Sequence, residues 1–231
     1  MSTPTGAPSG TPVGAPAGAP PAASQRAAQK ARTRRALLDA GLALLEDQSL
    51  SSLGLREIAR AVGVSPTAFY RHFHDVADLG VALVEESLDG LRELIRAGLA
   101  QYGEDADRID HAVDALAAHV RAQPEHVRFL VRERHGGVAP VRRAIGAQLD
   151  GFAEEVAGVL ERDEISRGWT RDDLRMLGET YVDHMVMTAS AFLEAAQGEG
   201  PDEEHVARTA RRQLRLISLG RRHWMSESPG G

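Results

Sequence analysis

Val64-Ser65-Pro66-Thr67-Ala68-Phe69-Tyr70-Arg71-His72-Phe73 is the stretch on which the reading of this chain turns. Ser65 is a preferred helix N-cap, because its hydroxyl can accept from a free first-turn amide. Pro66 falls at the first helical position, where its missing N–H costs nothing. Val64 and Phe69 flank the cap at the spacing of a hydrophobic staple. Phe69 and Phe73, four apart, share a face and predict a buried side, leaving Thr67, Ala68, Arg71 and His72 to point elsewhere. Just upstream, Leu55, Ile58, Ala59 and Val62 recur at helical spacing, and Gly63 supplies the stop. Two short helices separated by Gly63-Val64, with a polar outer face, predict a helix-turn-helix. The second is roughly 12 Å long by helical rise, which fits a major groove about 12 Å wide. A capped surface helix joining two larger ones would look similar locally, so the rest of the chain must decide.

The composition is that of an ordinary globular protein, with 42% hydrophobic and 26% charged residues. There is no cysteine, which excludes disulfides, thiolate metal sites and cysteine nucleophiles. No apolar run approaches the roughly 18 residues that span a bilayer, so a cytoplasmic protein without membrane contact is expected. The net charge of −6 argues against a generic polyanion binder, but it is unevenly spread. Residues 25–80 carry eight basic and six acidic side chains, whereas the remainder carries 19 basic and 27 acidic. A near-neutral to basic head on an acidic body suits a protein that offers DNA only one face.

Residues 1–24 are Gly, Ala, Pro, Ser and Thr with little else, and predict a disordered tail. From Gln25 the register is helical. Arg26, Lys30, Arg32, Arg34 and Arg35 form a basic run ahead of a buried stripe at Leu38, Leu42 and Leu45. Placed before a helix-turn-helix, that run is expected along a phosphate backbone rather than as a solvated face. A connector helix carries Leu79, Leu83, Leu88, Leu91 and Ile95 and breaks at Tyr102-Gly103. Further helical stripes follow at Ile109–Val120, Val127–Val131 and Val141–Val159. Thr170-Arg171-Asp172-Asp173 reads as a capping box opening a helix to Ala196, and a last helix runs from Glu203 to Trp224. No segment alternates as a strand does. The expectation is an all-α chain of about nine helices: a three-helix helix-turn-helix domain over 25–76, a larger effector-binding and dimerisation domain over 77–225, and a flexible end at 226–231.

Leu55-Arg56-Glu57-Ile58-Ala59, Gly63-Val64-Ser65 and Phe69-Tyr70-Arg71-His72-Phe73 resemble the helix-turn-helix of TetR-type transcriptional regulators. Thr33-Arg34-Arg35, Ser51-Ser52-Leu53, Pro66-Thr67, Asp75-Val76, Leu79-Gly80, Phe129-Leu130, Arg132-Glu133-Arg134, Gln213-Leu214-Arg215 and Ile217-Ser218 are similar to the FabR/DesT-like group of that family. Those proteins repress unsaturated fatty-acid biosynthesis. The resemblance implies a homodimer on a palindromic operator, with a long-chain acyl-CoA or acyl carrier protein as effector and no cofactor. It places Arg56 on a base edge or phosphate, Pro66, Thr67, Ala68 and Arg71 over bases, and Tyr70 and His72 on phosphate. Ser65 completes the set as cap, and Lys30, Arg32 and Arg34 as backbone contacts. Arginine can bond guanine O6 and N7 together, and Thr and Ala methyls can touch thymine, so the chemistry agrees. Many family members have a phosphate-clamping lysine after the recognition helix. Here the segment reads His74-Asp75-Val76-Ala77-Asp78, and its aspartates are expected to repel phosphate.

Other classes fit less well. The nine histidines include no Glu-x-x-His pair, which a bundle di-iron site requires. His111, His119 and His184 read as core or surface residues, and no catalytic or metal-ligating set emerges. A drug-efflux repressor is the alternative regulator, but residues 81–231 hold only seven aromatics for planar cations. Leu116, Val120, Leu130, Val131, Leu149, Phe152 and Val156 predict an aliphatic effector pocket. Arg128, Arg132, Arg134, Arg142 and Arg143 form either a solvated face or a phosphate-binding mouth beside it. The last two helices are apolar on more than one side, which predicts dimerisation through them.

Overall fold

The computed structural model describes residues 22–101 and 105–224. The tail before Ala22, the Tyr102-Gly103 break and the 226–231 end lie outside the described residues. The chain divides into two compact units, residues 1–35 and 36–231.

Among the described residues every regular element is helical, with nine α-helices and one short 3-10 turn at Glu164–Ser166. The order is α1 (Ala22–Leu44), α2 (Leu55–Val62), α3 (Pro66–Phe69), α4 (Val76–Gln101), α5 (Asp105–Ala122), α6 (Pro124–Glu133), α7 (Ala139–Leu160), α8 (Arg171–Ala196) and α9 (Glu203–His223). Helix α1 thus begins three residues ahead of the expected Gln25. Lys30, Arg32 and Arg34 lie on the part of it that belongs to the first unit, where Arg32 Nη2 donates to Gln29 Oε1 at 2.7 Å.

In the second unit the leucine stripe of α1 (Leu37, Leu38, Leu42, Leu45) packs with Leu50, Leu53, Ile58, Phe69 and Phe73 into the core of the head. The same core runs on through Leu79, Leu83, Val84 and Leu88 of α4 to Phe129, Val141, Ile145 and Phe152. Head and body therefore share one apolar interior, as period-3.6 stripes on consecutive helices require. A second core forms between α5, α8 and α9 around Val113, Val120, Phe192 and Leu214. Helices α7 and α8 approach closely at Gly178, where a Cβ would lie 2.4 Å from the Ala153 carbonyl oxygen. Any side chain there would force the two helices apart.

The expected termini are realised atom by atom. Gly63 takes φ of 74°, and the Gly63 and Val64 amides donate to the Arg60 and Ala59 carbonyls, a Schellman ending for α2. Thr170 and Asp173 form the reciprocal capping box of α8.

Candidate DNA-reading head and effector cavity

The recognition segment is built from its cap outward. Ser65 Oγ accepts from the Ala68 amide at 3.2 Å, and Pro66 opens α3. Regular helix ends at Phe69, after which the chain tightens: the Arg71 amide donates to the Ala68 carbonyl and the His72 amide to that of Phe69. The tightening keeps both anchors in the core. Phe69 and Phe73 are buried with ring centroids 5.6 Å apart. Outward stand Pro66, Thr67, Tyr70 and Arg71, all exposed, with Arg56 exposed on α2. Ala68 and His72 are half-buried. Pro66 and Thr67 can offer apolar ring and methyl surface and Arg71 and Arg56 guanidinium groups to base edges, and the Tyr70 hydroxyl can donate to phosphate.

The aspartates after this segment have a local task that their sequence alone did not disclose. Asp75 Oδ1 accepts from the Asp78 amide at 2.8 Å, and Asp78 Oδ2 accepts from the His74 amide at 2.9 Å. They cap the N-terminus of α4, where negative charge is favoured.

In the body, one cavity of about 200 Å³ lies among α4, α5, α6, α7 and α8, with Leu214 of α9 also on its wall. Leu116, Leu130, Val131, Leu149, Phe152 and Val156 line it, together with Leu88, Leu91 and Ile95 of α4. Val120 does not: it is buried in the second core, which Leu116 shares. Besides Ile109 and Leu116, α5 lines the cavity with Arg108, His111, Ala112, Ala115 and His119, small or polar residues beside the aliphatic core stripe. Those small or polar residues are the signal in the sequence that an apolar-only search passes over. They extend 11 residues, roughly 16 Å by helical rise, so the cavity is elongated along the bundle.

The cavity's end near Asp105 and Arg108 is closed by ion pairs. Arg108 Nη1 lies 3.0 Å from Asp163 Oδ2, and Arg221, its side chain wholly buried, reaches both Asp105 (3.0 Å) and Asp163 (3.2 Å). Ser218 Oγ donates to Asp105 Oδ2 at 2.6 Å. Burial raises the pKa of Tyr181, also on this end of the cavity.

The arginines expected around Gly136-Gly137 divide by role. Arg132 Nη1 donates to the carbonyls of Leu45 (2.8 Å) and Gln48 (2.9 Å), and Nη2 to that of Glu46 (3.3 Å). It is spent on the head. Glu133, 1% exposed, accepts from the Leu50 amide at 2.9 Å. Arg142 donates to the Gly136 carbonyl, and Arg134 lines the cavity while pairing with Asp183 of α8. Arg143 is exposed and Arg128 half-buried. Helix α6 thus presents Val127, Leu130 and Val131 to the cavity, with its C-cap Arg134, and Arg132 and Glu133 to the turn between α1 and α2. No group of three or more His, Asp or Glu able to hold a metal ion occurs among the described residues. None of the described helices is long and apolar enough to cross a membrane.

Residues 37–83 match the family described as bacterial regulatory proteins, tetR family. Among solved structures, the chain is similar to the fatty acid degradation regulator FadR from Bacillus halodurans (TM-score 0.64, 14% identity, covering 78% of this chain and 93% of that one). It is likewise similar to FadR from Bacillus subtilis in complex with stearoyl-CoA (TM-score 0.64, 14% identity, 78% and 96% covered). A TetR-family transcriptional regulator from Streptomyces coelicolor gives TM-score 0.63 at 20% identity, with 84% and 97% covered. The architecture is the TetR fold, an N-terminal DNA-binding domain on a larger helical domain.

Proposed function

We propose that this chain, a TetR-type DNA-binding transcriptional regulator by its head and its fold, is a homodimeric repressor that responds to long-chain acyl thioesters. The genes under its control are those of unsaturated fatty-acid biosynthesis, a reading supported by the sequence resemblance to the FabR/DesT-like group. A structural neighbour whose described complex contains stearoyl-CoA supports the choice of effector.

The observation that carries the proposal is the double duty of α6. Three of its residues and its C-cap Arg134 face an elongated aliphatic cavity, and two others hold the turn that begins the helix-turn-helix. A chain entering the cavity buries methylenes, each contributing about 0.8 kcal/mol, and must press on α4, α6 or α7 as it does so. Displacing α6 moves the points at which Arg132 and Glu133 grip the head. In the dimer this changes the separation of two recognition helices that must enter successive major grooves about 34 Å apart. A coupling of about 1–3 kcal/mol alters operator affinity roughly five- to 150-fold.

The dimer is formed through α8 and α9. Met176 and Met187 of α8 and Leu216 and Leu219 of α9 are exposed large apolar side chains of the body, a surface whose burial a four-helix interface would supply. Bases are read by Arg56, Pro66, Thr67, Ala68 and Arg71, with Tyr70, His72, Lys30, Arg32 and Arg34 on phosphates.

The test is a DNA-binding titration on the upstream regions of the protein's own gene and its neighbours. It is run with saturated and unsaturated acyl-CoAs of graded length and with a panel of planar cations. The expected result is an operator affinity that depends on chain length. A response to the cations and to no acyl chain would replace this reading with a drug-efflux repressor.

A further inference from the structure

Among the described residues, three acidic or basic side chains other than histidine belong to the cavity wall: Asp105, Arg108 and Arg134. Two of them are committed to each other's network. Arg108 pairs with Asp105 (3.6 Å) and Asp163 (3.0 Å), and Arg221 holds the same two carboxylates. None of those four side chains is more than 20% exposed. A charged ligand group arriving at that end would have to break ion pairs sheltered from water, which is costly.

Arg134 is placed differently. It caps the C-terminus of α6, lines the cavity and has a side chain 28% exposed, so it stands where the wall meets the surface. Its Nη2 lies 2.5 Å from Oδ1 of Asp183, an α8 residue outside the wall with a side chain 62% exposed. An ion pair this open to water contributes little, and its members change partners at small cost. Arg134 is thus the cation of the wall whose partner can be exchanged. The wall beside it is aliphatic: Leu130 and Val131 come one turn earlier on α6, and Val182 and Val186 stand on either side of Asp183 in α8. A hydrocarbon chain lying against these four can bring a terminal group to the guanidinium.

We infer that Arg134 selects an anionic head on the effector: the anion takes the guanidinium from Asp183, and the chain runs inward toward the closed Asp105–Arg108 end. The inference rests on the acyl-chain reading proposed above and adds the charge, the direction of the chain and the deciding residue. A guanidinium can hold a carboxylate or a phosphate with two parallel hydrogen bonds, so a free fatty acid and the phosphates of an acyl carrier share this chemistry. The exchange also reaches the head. Arg134 directly follows Arg132 and Glu133, which hold residues 45–50. Releasing Arg134 from α8 frees the end of α6 that carries that grip, whereas an uncharged ligand leaves the pair with Asp183 in place.

Binding is measured by calorimetry on the full-length wild type, Arg134→Gln, Arg134→Lys and Asp183→Asn. The probes share one chain: palmitate carries a carboxylate, palmitoyl-CoA carries phosphates, and S-palmitoyl pantetheine carries the thioester without charge. The readout is the affinity of each anionic probe relative to the neutral one, because a change in folding or assembly that affects all probes alike cancels in that ratio. Arg134→Gln should lower the ratio roughly tenfold, and Arg134→Lys by less. Asp183→Asn frees the guanidinium and should raise the ratio roughly threefold. The opposite signs are decisive, since a purely structural ion pair is broken alike by either variant. These shifts seen with palmitate alone assign the head to a free fatty acid, and with palmitoyl-CoA alone to carrier phosphates; either supports the inference. A ratio that Arg134→Gln leaves unmoved, or that Asp183→Asn fails to raise, overturns it and leaves the acyl reading standing. Failure of all three probes to bind removes both.

Discussion

Removing the carboxylate of Glu133 should loosen the head from the body and silence the effector response. Glu133 Oε1 accepts from the Leu50 amide at 2.9 Å inside the core, and its side chain fills the space beside Gly136. Glu133→Ala deletes a buried hydrogen bond worth about 0.5–1.5 kcal/mol and strands a buried amide, at a further cost of about 1–3 kcal/mol. It also leaves a small cavity, so a total loss of about 2–4 kcal/mol is expected. Arg132→Ala removes three contacts to the carbonyls at the C-terminal end of α1 and its following turn. Those carbonyls carry the negative end of the helix dipole, but Arg132 is exposed, so a smaller loss of about 1–2 kcal/mol follows. Both side chains grip the same turn, residues 45–50, and the double variant should depart from additivity by at least about 0.5 kcal/mol.

The assay has two parts. Urea unfolding at one fixed protein concentration reads the stability losses, since a dimer's apparent stability depends on concentration. Operator affinity with and without palmitoyl-CoA reads the coupling. For Arg132→Ala, which should remain folded, the ratio of the two affinities should fall toward one while palmitoyl-CoA affinity changes little. An Arg132→Ala protein with wild-type stability and an undiminished ratio would refute the idea that α6 transmits through this grip.

Charging the exposed apolar face of the last two helices, by Met187→Glu on α8 or Leu216→Arg on α9, should give a monomer by light scattering and lose operator binding; both side chains are about 70% exposed in the single chain. Arg56→Ala should relax selectivity at one operator position at a cost of roughly 1–3 kcal/mol, whereas Arg32→Ala should weaken all sequences alike and lower the salt slope by about one. Binding measured across operator variants and salt concentrations checks both, and an altered base preference in Arg32→Ala would reverse the assignment. Burial lowers the pKa of His119 and His184, so the unfolded chain binds more protons in mild acid. Their contribution to stability should be complete above about pH 6.5 and lost as pH falls through the lowered folded values. Melting temperature should fall between pH 7 and pH 5, less steeply in the His184→Leu variant.

Where the sequence could be read, it was because a local rule and a tertiary need coincide on the same residues. Ser65-Pro66 sets a helix start, and Phe69 and Phe73 need a core on the same side; either requirement alone points to the fold observed. Gly63 and Thr170-Asp173 are legible for the same reason, since cap geometry needs only residues within one turn. The cavity was less legible. An aliphatic side chain lining a cavity and one filling a core obey the same periodicity, which is why Leu116 and Val120, four apart on α5 and buried in the same core, differ only in that Leu116 also lines the cavity. The side chains that distinguish the cavity are Arg108, Ala112, Ala115 and His119, whose small or polar character leaves room beside the core stripe. Arg132 and Glu133 were harder still, because what they bind is backbone some 85 residues earlier in the chain. A carbonyl or amide has no sequence signature, so no pattern of residue types could pair them with the turn at 45–50. The same fact bears on function. A grip on backbone tolerates changes in the side chains of that turn, so the face that reads DNA can vary while α6 keeps its hold. On the proposed function, regulation through α6 and recognition through α3 are thus free to change independently.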